Sequence, residues 1–174
     1  MLTNIMMVDV IFALLGAMIS ANTIDDFFSR YASTMNDALF GSDINISSIM
    51  NSFSDYVVGA NPLGVAGGKN DDQFAAAIRQ GIDFYRKIGV VSMNILSKEI
   101  NLIDDFHASV RIYWTSFYRK EDTSGEIPFE VVYLVQCREG VIKIFAYVTG
   151  DEQGAFRDHN LLPESMEQTT ERSN

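Results

Sequence analysis

Cysteine and histidine are scarce in this sequence. It holds one cysteine, Cys137, and two histidines, His107 and His159. A single cysteine cannot form an intramolecular disulfide, and this leaves the redox compartment open, because an oxidising compartment permits disulfides without requiring them. Three such residues are also too few for the sets of Cys and His that hold structural zinc. We therefore expect no metal site.

Positive charge is also in short supply. The chain has 13 Lys and Arg residues against 23 Asp and Glu residues, for a formal net charge of −10 at pH 7. A protein that binds nucleic acid non-specifically needs a positive footprint, and so does a protein that adheres to anionic lipid. The charge balance therefore argues against both kinds of partner.

A nucleotide-binding P-loop is missing, although one segment has the glycine content of one. Residues 59–70 read GANPLGVAGGKN. The P-loop pattern would need glycine at position 63 and Ser or Thr at position 70, where this sequence has Leu63 and Asn70. We interpret the segment as a flexible connection. No other cofactor motif is present, and we expect no cofactor.

The first 21 residues lack the features that would settle their role. They are nearly uncharged and hold the apolar run Val10–Ile19, which is shorter than the about 20 residues of a spanning helix. The run has the length of a signal-peptide core and is followed by the small residue Ala21, but no Lys or Arg precedes Arg30. We predict a retained helical extension over residues 1–21 and a cytoplasmic protein. Export with a cleaved signal peptide is the alternative.

What the sequence does contain is a clear series of strands in its C-terminal half. They are predicted at 106–118, 126–137 and 141–149, joined by short Gly-containing turns at 122–125 and 138–140. The first strand alternates with period two, and its apolar face is Phe106, Ala108, Val110, Ile112 and Trp114. The pattern predicts an antiparallel meander with one face on a core.

The N-terminal half is predicted to be mainly helical. Thr23 is a candidate N-cap for a first helix that ends near Gly41, and Ser42 or Asp43 for a second, shorter helix. A third helix follows the glycine-rich segment, from a cap at residue 70 or 71 to residue 89.

Two extended segments and a polar tail complete the prediction. Residues 55–59 are a short strand candidate, and residues 90–103 form a longer one whose apolar parity changes near Lys98 and Glu99, as at a β-bulge. After Gly150 the chain is polar. We therefore predict one domain over residues 22–151 and a polar tail over residues 152–174.

Six local segments in this order resemble those of a known superfamily. They are FGSD (40–43), FSDYVV (53–58), FYRKIG (84–89), ASVRIYW (108–114), IPFEVVY (127–133) and GVIKI (140–144). Together they resemble the nuclear transport factor two-like superfamily, and its SnoaL-like subset, over roughly residues 23–151. The sequence departs from the common pattern at Ile142, where such proteins often have Trp.

The resemblance implies an α+β cone. Three helices would pack on a strongly curved antiparallel sheet, whose concave face encloses a pocket. It implies no single function, because relatives include isomerases, dehydratases, cyclases, transport adaptors and assembly subunits without chemistry.

Candidate site residues follow from this fold. Tyr31, Trp114 and Tyr133 are predicted to line the pocket beside Val110 and Ile112, because they lie on the inner face and join an apolar body to a polar handle; filling the core is the alternative. A pocket enzyme of this superfamily would use a carboxylate base, for which Asp55 is the catalytic candidate, although a lone carboxylate also fits a solvated strand start.

The histidines have less claim to a catalytic role. Strand parity places His107 on the face opposite the pocket, as a surface or interface residue. His159 lies in the predicted tail.

The outer face of the predicted sheet is unusually apolar. Its members are Tyr113, Val132, Leu134, Phe145 and Tyr147. A face left in water would be polar, so we expect a homodimer that covers it.

Two functions remain open from the sequence. The first is a module without catalysis, which binds a small apolar ligand in the cone pocket or serves as a dimeric assembly unit. The second is a small isomerase, dehydratase or cyclase that uses a pocket carboxylate as proton-transfer base. The missing acid–base pair favours the first.

Overall fold

The computed structural model describes residues 18–41 and 45–162. Its helices are α1 (Ala21–Phe40), α2 (Ile46–Met50), α3 (Asp72–Lys87) and α4 (Glu152–Asp158). Its strands are β1 (Phe53–Asn61), β2 (Gly64–Lys69), β3 (Val90–Leu102), β4 (His107–Lys120), β5 (Thr123–Arg138) and β6 (Val141–Thr149).

The six strands form one sheet in the order β2-β1-β6-β5-β4-β3. All neighbours are antiparallel except β1 and β6, which run parallel. The α+β prediction, with helices packed on a curved sheet, is therefore confirmed. The sheet is mixed, however, because β1 runs parallel to β6.

The meander β4-β5-β6 is turned more tightly than predicted. The first turn is Glu121–Asp122, so residues 123–125 already belong to β5. The second consists of Glu139 and Gly140, both with positive φ, which is the geometry of a two-residue type I′ hairpin. Phe106 precedes β4 and is exposed, so it does not belong to the apolar face that the alternation predicts for it.

A β-bulge in β6 changes which side chains face the core. Leu134 pairs with Ala146 and Val135 with Ile144, so Phe145 is the extra residue. Beyond Phe145 the alternation is reversed. Tyr147 therefore lies on the helix side of the sheet, where it is the cross-strand partner of Tyr133. The prediction of Tyr147 on the outer face is therefore wrong, and Ala146 and Val148 lie on that face instead.

A second bulge lies in β3, at a different place from the predicted one. The pairing shifts between Ile95 and Ser97, so the extra residue is Leu96 rather than one of the pair 98–99. Leu96 is exposed. The bulge brings Ile100 opposite Val110 on the inner face.

The glycine-rich segment is a β-hairpin, not a flexible connection. Strand β1 continues to Asn61, the chain turns at Pro62 and Leu63, and β2 pairs back along it, with Val57 opposite Gly68. Sequence reasoning missed β2 because four of its six residues are glycine or alanine, and Val65 is its one β-branched residue. Backbone hydrogen bonding to β1 forms the strand instead.

Helix α1 begins with a capping box one turn earlier than predicted. Ser20 is the N-cap: its Oγ accepts from the backbone N–H of Thr23, and the Thr23 hydroxyl accepts in return from the Ser20 N–H. Thr23 is thus the partner in the box and not the cap. Helix α2 is capped by Asn45, whereas the predicted caps, residues 42 and 43, lie outside the described residues.

Polar side chains fasten α1 to the rest of the fold. The amide of Asn36 pairs with the backbone of Met93 in the edge strand β3, at 2.7 and 2.9 Å. Arg86 of α3 donates to the last carbonyls of α1, on Ala38, Leu39 and Gly41. These carbonyls have no partner inside a helix, so Arg86 satisfies them and joins the two helices.

The chain continues in ordered form past the predicted domain end. Asp71 caps α3, as one of the two predicted caps, and Asp151 caps α4. Phe156, Leu161 and Leu162 are buried, so the part of the predicted tail up to residue 162 packs on the core. The other parts of the predicted extension and tail, residues 1–17 and 163–174, lie outside the described residues. Within the described residues, no helix is both long and apolar enough to span a bilayer.

Candidate functional site

A pocket of about 240 Å³ lies between the helices and the inner face of the sheet. Helix α3 forms one wall, where Ala77 and Gly81 leave space that larger side chains would fill. A Cβ added at Gly81 would meet no atom within 4 Å. A cavity of about 150 Å³ is enough for benzene, so this one has room for a ring with a short substituent.

The far wall of the pocket is aromatic. Trp114 stacks on Phe129, with ring centroids 6.3 Å apart and planes within 10°. Tyr31 of α1 meets Trp114 edge-on at 6.5 Å and Tyr133 at 6.1 Å. Phe53 closes the side beside Tyr31. A flat, apolar molecule could therefore pack against rings on several sides.

One carboxylate opens into this apolar pocket, and it belongs to Glu152, the first residue of α4. Its Oε1 accepts a hydrogen bond of 2.6 Å from the hydroxyl of Tyr85 on α3. The short bond fits a charge-assisted contact. It links α3 and α4, which also pack through the rings of Tyr85 and Phe156 at 6.0 Å.

Burial raises the pKa of Glu152 above its usual 4.5, and the Tyr85 hydrogen bond offsets part of that rise. Desolvation is the dominant cause because it disfavours the charged form. A carboxylate whose pKa is raised is a stronger base than an exposed one.

The tyrosines around Glu152 remain neutral donors. Burial raises the pKa of Tyr31, Tyr85 and Tyr133 far above 10, and that of Tyr147 above 10 to a smaller extent. After burial, the next largest cause of the raised pKa is Glu152 for Tyr85, and Tyr31 for Tyr133. All four tyrosines line the same pocket as Glu152.

Trp114 adds an unused donor. Its Nε1 is buried and has no hydrogen-bond partner among the described residues. The Tyr133 hydroxyl is the nearby acceptor: a weak hydrogen bond from the indole, too poor in geometry to satisfy Nε1, opposes the rise in the Tyr133 pKa. A buried N–H without an acceptor is costly, and an oxygen atom in the pocket would satisfy it.

The sequence candidates separate into three groups. Tyr31, Trp114 and Tyr133 line the pocket. Val110 and Ile112 are fully buried and do not line it, because they belong to the core along β4.

Asp55 is exposed and stands apart from the pocket, so the structure gives it no partner for proton transfer there.

The two histidines lie away from the pocket. His107 is on the outer face, where Nδ1 lies 2.9 Å from Asp104 and Nε2 lies 2.9 Å from the Gln136 amide. His159 follows α4, and its Nδ1 lies 2.8 Å from the carbonyl of Ala155.

The outer face of the sheet keeps most of its predicted members. Val132 and Leu134 lie there, opposite Val148 and Ala146 of β6, and Phe145 is partly buried beside His107.

Tyr113 is also on the outer face, where its hydroxyl donates to Glu99 at 3.0 Å. Next to it Arg111 is hydrogen-bonded to Glu130.

Sequence reasoning missed Glu152, Tyr85 as a polar partner, and Tyr147. Glu152 follows the last strand in a polar stretch, where nothing marks a buried helix as short as α4. The helical period places Tyr85 on the inner face of its helix but gives no sign of a polar role. Tyr147 was missed because the bulge at Phe145 leaves no signal in the alternation.

Comparison with known proteins identifies relatives of this architecture. A family model described as NTF2-like protein (DUF6841) matches residues 21–152. No curated protein matches the chain.

Among solved structures, an NTF2-like protein with a cystatin-like fold from Novosphingobium aromaticivorans is similar with a TM-score of 0.60 and 13% identity. The match covers 94% of this chain and 99% of that one.

Two further structures have other descriptions. A ketosteroid isomerase-like protein from Erwinia carotovora atroseptica has a TM-score of 0.55 and 19% identity, over 74% of this chain and 93% of that one. The β subunit of benzoate 1,2-dioxygenase from Burkholderia mallei has a TM-score of 0.56 and 16% identity, over 76% and 90%. At these identities the likeness shows the fold alone.

Proposed function

The chain belongs to the NTF2-like family (DUF6841), and on that premise we propose that its pocket binds a small, largely apolar molecule that carries one oxygen-bearing group. The observation that carries the proposal is the carboxyl of Glu152, bonded to Tyr85, inside an otherwise aromatic and aliphatic cavity. Small-molecule sites combine such apolar walls with a few convergent polar groups. The narrower resemblance to the SnoaL-like subset remains a prediction.

The polar groups define the ligand further. Glu152 repels an anion, so a carboxylate or phosphate ligand is disfavoured. The hydroxyls of Tyr31 and Tyr133 and the indole N–H of Trp114 can donate to a carbonyl oxygen, whereas the Tyr85 hydroxyl already donates to Glu152. The ligand class that fits is a neutral ring ketone or a related carbonyl compound.

The test is a calorimetric titration of the purified protein with acetophenone. Gly81→Leu should weaken binding at least tenfold, because the added side chain enters the pocket from α3. Gln80→Leu is the matched control: it adds the same side chain one position away, on the exposed side of the helix. Failure of the wild type to bind, or equal weakening by both variants, would contradict the proposal.

A second candidate function is proton transfer, and the position of Glu152 favours it. The carboxylate would remove a proton from the carbon beside the ligand's carbonyl and form its own O–H bond. A tyrosine hydroxyl would hold the negative oxygen of the resulting enolate by a hydrogen bond. Return of the proton to another carbon would make the reaction an isomerisation.

Hydrogen exchange separates the two functions. In D₂O, a protein that transfers protons should replace the methyl hydrogens of bound acetophenone with deuterium, which proton NMR detects. Glu152→Gln should abolish the exchange and leave binding in place, because glutamine keeps the acceptor for Tyr85. Binding without exchange in the wild type would mean a binding module without this chemistry.

We also propose that the chain forms a homodimer through the outer face of the sheet. The members of the apolar patch there are Val58, Ala60, Val132, Leu134, Ala146 and Val148, which neighbour one another across β1, β6 and β5. A second copy is the partner that fits, because Arg111 beside the patch is already neutralised within the subunit by Glu130. A two-fold contact would pair the patch with itself. This partner suits either function, including an assembly module without catalysis.

A further inference from the structure

A groove of about 500 Å³ runs along the β1–β2 hairpin, next to the pocket. The hairpin supplies most of its lining, and Phe74 of α3 borders it on the other side. None of the described residues that line it is Asp, Glu, Lys or Arg. Such a groove suits an uncharged occupant.

Backbone forms much of the groove's surface. Gly59, Ala66 and Gly68 lie on the helix side of the hairpin, where longer side chains would fill the space. A Cβ at Gly59 would lie 2.7 Å from the ring of Tyr147, so glycine is required for that ring to rest on β1. A Cβ at Gly68 would meet nothing within 4 Å, so the space above Gly68 is open.

The groove adjoins the pocket. Phe74, Tyr147 and Thr149 line both cavities. The hydroxyl of Thr149 lies 3.5 Å from the carbonyl of Ala60, which holds the end of β6 against the hairpin. A ligand that occupied both cavities would pass these three residues and continue along β1 and β2.

We propose that the ligand is elongated: a ring or carbonyl head occupies the pocket, and an unbranched, uncharged alkyl chain occupies the hairpin groove. This inference rests on the proposed function and adds the second half of the ligand. The alkyl chain is unbranched because a straight chain can lie along the backbone and small side chains that line the groove. It is uncharged because no lining residue would neutralise a charge.

A series of phenyl alkyl ketones tests the inference, with the alkyl chain lengthened from methyl to octyl. All members have the same head for the pocket, so any gain in affinity comes from the chain. We expect the dissociation constant of the wild type to fall about threefold for each added methylene that the groove buries.

Gly68→Val should remove this gain, because its side chain fills the groove, while acetophenone binds as to the wild type. Valine suits a strand, and φ at position 68 is ordinary. Lys69→Val is the matched control, since it places the same side chain at the next position, on the opposite face. Ala66→Leu is a second blocking variant, and acetophenone affinity reports whether each variant is folded.

The outcomes separate the two proposals. Binding of acetophenone without a gain for longer chains would overturn the elongated ligand and leave the pocket proposal standing. A gain that persists undiminished in Gly68→Val and Ala66→Leu would also overturn it. If the wild type bound no member of the series, the pocket proposal would fail and this inference with it.

Discussion

At the scale of single residues, Glu152 decides what the pocket can do. Without it the cavity would be a set of rings and hydroxyls, able to donate hydrogen bonds but unable to accept a proton. The residue owes its position to α4, which holds it against Tyr85 by burying Phe156. Its raised pKa has a consequence for stability that does not depend on any ligand.

We expect Glu152→Gln to stabilise the protein at neutral pH and to have little effect in acid. Because the folded-state pKa of Glu152 lies above 4.5, its contribution to stability is full below pH 4.5 and is lost as pH rises through the folded-state pKa. The glutamine side chain of the variant never ionises and keeps the Tyr85 hydrogen bond. Thermal melts of the wild type and the variant, from acid to neutral pH, measure the difference in melting temperature.

The control for that experiment is Glu126→Gln, which removes the same charge at an exposed position of β5. Its melting temperature relative to wild type should not rise with pH in the same way. A Glu152→Gln effect that is constant from acid to neutral pH would contradict desolvation of the carboxylate as the cause.

Substitution of Trp114 tests whether the wall of the pocket also belongs to the packed core. Its ring is 3% exposed and contacts Phe129 and Tyr31. Trp114→Ala should therefore lower the free energy of unfolding by ~3–5 kcal/mol, the usual cost of truncating a packed aromatic side chain. Urea denaturation gives the value, and a loss under about 1 kcal/mol would mean that the ring only borders an open space.

At the scale of elements, alternation predicted the meander well where pairing is regular. Successive side chains of a strand point to opposite faces of the sheet, and this alternation places Trp114 of β4 and Tyr133 of β5 on the inner face. The same rule failed in β6, since the extra residue Phe145 shifts the parity of all that follow. A bulge depends on the partner strand, so one strand's sequence does not reveal it.

The hairpin and α4 were missed for a different reason. Four of the six residues of strand β2 are glycine or alanine, and the strand depends on β1 for its hydrogen bonds. Helix α4 has too few residues to display a helical period, and its place is determined by the core that Phe156 enters. Both elements form through contacts with distant parts of the chain, so the local sequence pattern does not predict them.

The beginning of α1 bears on whether residues 1–21 are retained. Ile19 is buried, its N–H donates to the carbonyl of Asp105 at 3.0 Å, and Ser20 caps the helix. Cleavage after Ala21 would remove both residues, at a cost of about 1 kcal/mol for the cap alone. We therefore expect mass spectrometry of protein from its native cell to find Ile19 and Ser20 still present, whereas a terminus at Asn22 would show export processing.

At the scale of the whole molecule, the outer face predicts the oligomeric state. Leu134 lies within the apolar patch, with Ala146 opposite it. Leu134→Lys would place a charge in the two-fold contact once from each subunit, so the variant should sediment as a monomer or aggregate. The wild type should sediment near twice 19.5 kDa.

Gln80→Lys is the control, because it adds a lysine on the exposed side of α3, away from the sheet. It should remain dimeric. A wild type that sediments as a monomer at micromolar concentration would refute the dimer.

The central claim is that the pocket beside Glu152 holds a small neutral ligand, and a crystal structure of protein purified from cells, then soaked with acetophenone, tests it most directly. We expect density for the ring against Trp114 and Tyr31. The carbonyl oxygen should lie within hydrogen-bonding distance of a tyrosine hydroxyl or of Trp114 Nε1. An empty pocket at saturating acetophenone, or density only outside it, would contradict the claim.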